Sequence, residues 1–487
     1  MNVTDKLTAL AESSPDGASI LTVDGILSFA ELDRAVSATA KAFQDAGIHQ
    51  GDIVGMALPD QLEQLVASLG LARLGAGQFV FHGSDTPELR ESLARRVPIA
   101  ATVTHDAVKT VAGAPAIAPP PGTVSELAEL PEVTLVPSGD PDLTVFCLRS
   151  SGTTGQPRIF RLTQAMMPAR MRPLEADGQG GRLLSLTHMD FEGAKRAVYS
   201  FLLGGGCVAF FNDVSIRATV DFVLRNNIDF ISGSPIHAAT LLESYQGATP
   251  LFPGVNAFRL SSTLVPESLR RDIMARLTPN LYVSYGVTEI GVIAIAPPKT
   301  MLERPEIVGW IGQDIEAEIV DESGHKQAAG TPGQLRVRSS GMVAGYVGDP
   351  EETAKRFRDG WFYTGDRCVF ADDGALFHFG RIDDLIIFDG INIYPSAIES
   401  VLLAEPSVAA VAAFGIDSRD HGSIPVAAVV LAGETTREEL LARAKAKLGM
   451  HAPLDIMIVG EFPTTTAGKV IKRELADAWR AANGQGR

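Results

Sequence analysis

Apolar positions recur along this chain in two rhythms. Near the N-terminus, Leu32, Val36, Ala40 and Phe43 fall at helical spacing, which predicts a helix with one apolar stripe that stops near Gly47. Ser28-Phe29-Ala30-Glu31 opens it as a capping box, with hydroxyl and carboxylate three residues apart. Residues 53–58 are apolar without a break and predict a buried strand, and a helix is predicted over 61–73. The alternation continues. Strands are predicted over 144–148, 159–162, 183–186 and 281–284, with another at 228–235 ending in a turn, and a helix over 218–227. Such a succession predicts α/β layers around buried strands. Residues 113–139, rich in Pro, Gly and Ala, read as a surface connection.

Further on, the pattern shortens. Residues 368–381 read as a hairpin about the turn Ala371-Asp372-Asp373-Gly374. After it, strands are predicted over 385–388, 408–414, 425–431 and 455–459. One helix runs to Leu403 and another to Leu448, the second capped by Thr435 or Thr436 with Glu three residues on. That is a small α+β unit.

Composition narrows the possibilities. A length of 487 residues suggests roughly three domain-sized units, and 45% apolar residues suffice for packed cores. Forty-two Lys and Arg against 58 Asp and Glu give a net charge of −16, which argues against a nucleic-acid surface. Cys147, Cys207 and Cys368 lie in or beside apolar runs without metal spacing and read as buried free thiols, as expected in a reducing cytoplasm. No signal peptide is evident at the N-terminus. The longest uncharged apolar stretch, 198–211, is too short for a membrane span and holds three glycines.

Candidate chemistry begins between two predicted strands, at Ser150-Ser151-Gly152-Thr153-Thr154-Gly155-Gln156-Pro157-Arg158. Small hydroxylated residues and glycines expose backbone N–H groups that can wrap a polyphosphate. No Lys-Ser/Thr follows the glycines, so this is not a Walker loop; a plain solvated loop is the alternative. In Tyr285-Gly286-Val287-Thr288-Glu289 the aromatic face can stack on adenine, and Gly286 allows close approach of backbone to ligand. Thr288 can donate to an α-phosphate, and Glu289 can hold Mg²⁺ through oxygen. Asp366, after Tyr363-Thr364-Gly365 on an expected tight turn, can accept both ribose hydroxyls. Each also has a plain reading as a core aromatic, a solvated carboxylate or a turn residue.

Three further blocks complete a series: Trp361-Phe362-Tyr363-Thr364-Gly365-Asp366, Gly380-Arg381-Ile382-Asp383-Asp384 and Thr464-Thr465-Thr466-Ala467-Gly468-Lys469-Val470. With the two above, these five blocks, in this order and over nearly the whole chain, resemble the motifs of the adenylate-forming enzymes. That family includes acyl- and aryl-CoA ligases, adenylation domains of peptide synthetases and luciferases. The resemblance implies a large N-terminal domain of layered sheets and helices and a small mobile α+β C-terminal domain. It implies ATP, Mg²⁺ and coenzyme A, or a carrier protein's phosphopantetheine, as cofactors, with a small-molecule carboxylic acid as substrate. It implies no nucleic acid, no membrane, and a monomer or homodimer.

The resemblance also assigns residues. Ser150, Ser151, Gly152, Thr153, Thr154, Gly155 and Arg158 would bind the nucleotide with Tyr285, Gly286, Thr288, Asp366 and Arg381; Arg158 stands where relatives usually carry Lys. Glu289 and Thr154 would hold the metal. Lys469 would orient the substrate carboxylate and stabilise charge on the α-phosphate, with Lys472 as a nearby decoy. Asp383 would be the hinge between an N-terminal domain over 1–382 and a C-terminal domain over 383–487. His188 sits where relatives gate the carboxylate pocket. Asp190 lies close to the place where amino-acid-activating relatives grip an amine, although a helix N-cap explains it more simply. Ser261-Ser262-Thr263 replace a Gly-rich turn and would shorten or polarise the acyl pocket. Gly390 would leave room for a pantetheine arm. The reaction implied is acid–CoA ligation through an acyl-adenylate. Loading of a separate carrier protein is the alternative, and an adenylate-binding module without turnover is a third reading.

Overall fold

Three sheets carry the chain. The computed structural model describes every residue except 1, 84, 107–108, 112, 151–156, 172–179, 212–214, 248, 262–264, 305–306, 419, 465–469 and 484–487. Six strands form the first sheet, in the order Ala116–Ile117, Ile99–Thr104, Ile53–Ala57, Gly77–Val80, Thr144–Ser150, Arg158–Thr163. Neighbours are parallel except the last pair, where Ser150 lies opposite Arg158. The capped helix forms over Phe29–Asp45 with both capping-box bonds made, and its four stripe residues are buried. It packs on helix Gln61–Leu74, in which all fourteen residues are buried. A helix covered on every side needs partners for its polar side chains. Arg73 donates to Asp33 Oδ1 and Ser37 Oγ, each at 2.5 Å.

The second sheet has fourteen strands. Its first half is parallel from Ala18–Thr22 through Cys207–Ala209, Arg182–Ser185, Phe230–Gly233 and Ala257–Leu260 to Leu281–Val287. The antiparallel strand Gly291–Ala296 then leads into Ile307–Ile311, Leu376–Arg381, Trp361–Phe370, Gly333–Arg338 and Glu316–Val320. Strand Ile307–Ile311 joins the halves, and Gly309 makes the join possible. It has φ +117°, and a Cβ there would lie 2.0 Å from the Ile295 backbone.

The third sheet is the predicted small unit: Ile391–Ile393, Ile386–Phe388, Gly422–Leu431 and Val408–Ser418, with Asp455–Ile458 pairing alongside Gly422–Leu431. Helices Pro395–Leu403, Arg437–Leu448 and Lys472–Asn483 cover it, and Thr436 is the cap of the second. Residues 382–385 link strand Leu376–Arg381 of the large sheet to strand Ile386–Phe388 of the small one. This mixed α/β architecture is the one the motif blocks implied.

Several local expectations are corrected. Residues 113–139 are not all surface connection. They hold the edge strand Ala116–Ile117 and helix Val124–Ala128, whose Val124 and Leu127 pack into the main core. Asp366 is not on a tight turn. It lies inside the ten-residue strand Trp361–Phe370, which absorbs Gly365, at φ +78°, as an irregularity. Asp190 is not an N-cap: helix Glu192–Leu203 is entered through Phe191, without a side-chain cap. The strands expected over 408–414 and 425–431 are longer, the first continuing to Ser418 and the second starting at Gly422. All three cysteines are buried and free, as predicted. Among the described residues, no helix is long and apolar enough to cross a membrane.

Candidate nucleotide site

Asp366 is the centre of the site. Its strand pairs with Leu376–Arg381, and the register sets Asp366 opposite Arg381. Arg381 Nη1 lies 3.4 Å from Asp366 Oδ1, and His378 Nε2 lies 3.6 Å from the same oxygen. The Tyr285 hydroxyl donates to Oδ2 from the end of strand Leu281–Val287, and its ring stands 5.5 Å from that of His378. Asp366 is 3% exposed. Burial alone would raise its pKa. The nearby His378 ring and the charge of Arg381 outweigh burial and hold the carboxyl below its usual range. The same pairing, added to burial, pushes the Tyr285 hydroxyl well above its ordinary value, so it stays a donor. Arg381 Nε is buried with no hydrogen-bond partner among the described residues.

Gly286 owes its size to the hairpin. A Cβ there would lie 2.3 Å from Gly291 O of the returning strand. Thr288 and Glu289 follow in the turn, and a buried arginine fixes their backbone. Arg170 Nη1 donates to Thr288 O at 2.9 Å, Nη2 to Glu289 O at 2.7 Å and Nε to Gly341 O at 2.7 Å. Burial lowers the Arg170 pKa to about 10, so it remains charged. Glu289 is buried, and its Oε1 accepts the Tyr346 hydroxyl at 2.7 Å. Arg158 sits on the Tyr346 ring, 5.4 Å from its centroid, and Arg158 Nη2 donates to Glu352 Oε1 at 2.5 Å. Ser150, Arg158, Thr288 and Glu289 therefore border one region with Tyr346 between them. Ser151, Gly152, Thr153, Thr154, Gly155, Ser262, Thr263 and Lys469 lie outside the described residues. Lys472 opens the last helix and bonds Glu399 at 2.8 Å.

The acid-side candidates group separately. His188 Nε2 is 3.1 Å from Pro59 O, and its Nδ1 lies 3.3 Å from Asp190 Oδ1. Burial lowers the His188 pKa, but the hydrogen bond and charge of Asp190 outweigh it and leave the pKa raised. His188, Gln61, Leu186, Phe211 and His237 line a cavity of about 590 Å³. Asp190 Oδ1 accepts from Gln64 Nε2 at 2.8 Å. Behind it, Lys195 is 2% exposed, donates to Gln78 Oε1 at 2.9 Å and has its pKa lowered by burial to about 8. Ser261 follows strand Ala257–Leu260 and bonds Gly233 O through its backbone at 3.2 Å. Gly390 pairs with Asp389 in a two-residue turn, both at positive φ, and a Cβ on it would meet nothing within 4 Å. Asp383 is exposed and accepts from Arg356 Nη2 at 2.5 Å and Arg381 Nη2 at 3.2 Å.

Sequence reasoning missed His378, Tyr346, Arg170, Glu352, Arg356 and Lys195. Only His378 carried a local signal, since the hairpin about the Asp-Gly turn sets it opposite Cys368, two residues from Asp366. The others reach the site from elements distant in sequence.

Residues 7–347 match the AMP-binding enzyme family, and residues 397–469 match the AMP-binding enzyme C-terminal domain. A probable CoA ligase of Humulus lupulus is 27% identical over 97% of this chain and 95% of its own length. The indoleacetate–CoA ligase of Aromatoleum aromaticum is 27% identical over 92% of each chain. Among solved structures, ATP-bound MatB from Rhodopseudomonas palustris shares the fold at a TM-score of 0.88 and 23% identity, covering 99% of this chain and 100% of that one. Matched over most of its length, and carrying the motif blocks in order, the chain belongs to the AMP-binding enzymes, the adenylate-forming family.

Proposed function

We propose that this chain is an ATP-dependent acid–CoA ligase that activates a small or medium acyl or aryl acid. The observation that carries the reading is the Asp366 site. A buried, ionised carboxylate stands beside an arginine whose Nε–H has no acceptor among the described residues. A ribose offers hydroxyls to the carboxylate and oxygen acceptors to the arginine, and Tyr285 sits beside both.

In the first half-reaction the acid's carboxylate oxygen attacks the α-phosphorus of ATP. The bond from that phosphorus to the bridging oxygen breaks, and pyrophosphate leaves with the electron pair. Asp366, Arg381 and Tyr285 hold the nucleoside; Thr288, Arg158 and the loop 150–155 hold the phosphates. Positioning two anions and offsetting their charge are the main tasks. Lys469 takes the carboxylate and the α-phosphate. Glu289 fits a metal role. It is buried at the phosphate side, and among the described residues no cluster of three His, Cys, Asp or Glu could hold an ion alone. One carboxylate plus phosphate oxygens suits Mg²⁺. The ion, held also by Thr154, neutralises phosphate charge when bound.

In the second half-reaction a thiol attacks the acyl carbon and AMP leaves. Asp383 is the pivot between a domain over 1–382 and one over 383–487, whose rotation brings Gly390 to the thiol's path. Coenzyme A is the acceptor we favour, because the related enzymes of Humulus and Aromatoleum are CoA ligases by name. The cavity at His188 suits a compact acid. Asp190 is already engaged by Gln64 and His188, which weighs against its gripping a substrate amine.

The test is acid-dependent pyrophosphate release with ATP and Mg²⁺ across fatty, aromatic and amino acids, with and without CoA. Release with one acid class, accelerated by CoA, is expected. Release indifferent to CoA would move the acceptor to a carrier protein. Tight ATP binding without release across the panel would favour a binding module.

A further inference from the structure

Helix Pro350–Arg356 lies against the site and belongs to none of the motif blocks. Glu352 and Arg356 stand one turn apart on it, and Arg356 Nε donates to Glu352 Oε1 at 3.1 Å. That same oxygen takes Arg158 Nη2 at 2.5 Å. The other end of the Arg356 guanidinium reaches Asp383 Oδ2 at 2.5 Å, where Arg381 Nη2 also lies at 3.2 Å. Arg381 in turn faces Asp366. Three guanidiniums and three carboxylates thus alternate from the phosphate-loop strand to the linker between the large and small sheets.

Arg356 is 5% exposed, so its charge is tolerable only because both ends are paired. Space for it is made by Gly365: a Cβ there would lie 2.3 Å from Arg356 Nη1. A rigid planar fork that bridges two carboxylates transmits a change at one to the other, which a flexible ammonium does not. Arg158 and Arg356 share one oxygen of Glu352. A polyphosphate that takes Arg158 leaves Glu352 to Arg356 and weakens the hold of Arg356 on Asp383.

We propose that Arg356 is a positioning residue that couples polyphosphate occupancy at Arg158 to the freedom of the 382–385 linker. As a step toward domain rotation, this rests on the ligase reading above; the coupling itself does not. It is tested by hydrogen exchange over residues 382–389, whose Ile382 N–H bonds Gly365 O at 2.7 Å and whose Asp389 N–H bonds His421 O at 3.1 Å. The probe is Mg²⁺-tripolyphosphate, which lacks a nucleoside. In the unmodified protein it is expected to speed exchange there several-fold, about a tenfold change corresponding to ~1.4 kcal/mol of coupling. Glu352→Gln is expected to be slow with or without the probe, because Arg356 then serves Asp383 alone. Arg356→Ala is expected to be fast in both conditions, and Arg356→Lys intermediate. In thioester formation from a supplied acyl-adenylate, Arg356→Ala is expected to shift the rate about tenfold, with pyrophosphate release changed far less. Uniform exchange in all four proteins, or equal loss of both half-reactions, would reduce Arg356 to a structural pair. If Arg356→Ala does not fold, Glu352→Gln and Arg356→Lys still decide. The exchange pattern without turnover on any acid would retain the coupling and sink the ligase reading.

Discussion

Asp366 and Asp190 are both carboxylates held in the interior with depressed pKa values, yet they are built in opposite ways. Asp366 draws its partners from its own sheet: Arg381 and His378 from the neighbouring strand, Tyr285 from the motif strand. Backbone register places them, and among the described residues the donor without a partner is Arg381 Nε. Asp190 draws its partners from separate elements: Gln64 on one helix, His188 on a loop, Lys195 on the next helix. There, among the described residues, the atom without a partner is an acceptor, Gln64 Oε1. On the function proposed above, the first arrangement is a socket for the hydroxyl and oxygen groups of a ribose. The second is a polar seam between the layers, where charge is tolerated rather than presented. The contrast teaches that burial and a shifted pKa do not by themselves mark a ligand site; where in the fold the partners come from adds the needed information.

The largest effect should come from the socket. Asp366→Asn keeps an acceptor for Tyr285 but removes the charge, and ATP affinity is expected to fall about 100-fold, since charge-assisted hydrogen bonds contribute ~1.5–3 kcal/mol. Calorimetric titration measures this. Unchanged affinity with a lowered melting temperature would make Asp366 a purely structural cross-link. Gly365→Ala comes next. It forces a Cβ to within 2.3 Å of Arg356 Nη1 at a positive φ. A stability loss of about 2 kcal/mol is expected in denaturant titration, with ATP affinity weakened as Arg381 shifts. Full ATP affinity at that stability loss would separate the strand irregularity from the socket.

The same contrast explains what could be read from the sequence. Ser28-Phe29-Ala30-Glu31 and the turn at Asp373-Gly374 are local devices, and both elements formed where expected. Tyr285, Asp366 and Arg381 were legible because each lies in a contiguous block, and neighbouring strands bring the blocks together. Asp366 was still misplaced onto a turn, because a Gly before an Asp looks the same whether a strand ends or merely bulges. Gln64, Gln78, Lys195, Arg170 and Arg356 left no readable trace. Their roles depend on how elements distant in sequence pack together, and helix Gln61–Leu74, buried all round, has no polar face to indicate it.

The seam should answer in stability rather than binding. Lys195 has its pKa lowered by burial to about 8, below the unfolded value near 10.5. Between those pH values the unfolded chain binds the extra proton, so stability rises with pH from about 8 to 10.5, and the penalty is constant below 8. Lys195→Met removes that cost while leaving Gln78 Oε1 without its donor. Net stabilisation of about 2 kcal/mol at pH 7, vanishing toward pH 10, is expected from melts at both pH values. A loss of acid-dependent turnover with no stabilisation would instead make Lys195 a ligand group and erase the contrast.

Asp190→Asn is the gentlest probe of the same seam. Asn keeps an oxygen for Gln64 Nε2 and removes only the charge that faces His188 and Lys195. Asp190's folded pKa is lowered, because its hydrogen bond with His188 outweighs burial. Its contribution is therefore present above the unfolded carboxyl pKa of about 4 and lost as pH falls through the folded value. The substitution is expected to cost about 1 kcal/mol at pH 7 and almost nothing near pH 2. The His188 pKa, followed by NMR, should fall, since Asp190 is what raises it. Amino acids should stay poor substrates in both proteins. If the variant instead loses turnover of one amine-bearing acid at unchanged stability, Asp190 presents its charge to a substrate, and the seam is a second socket.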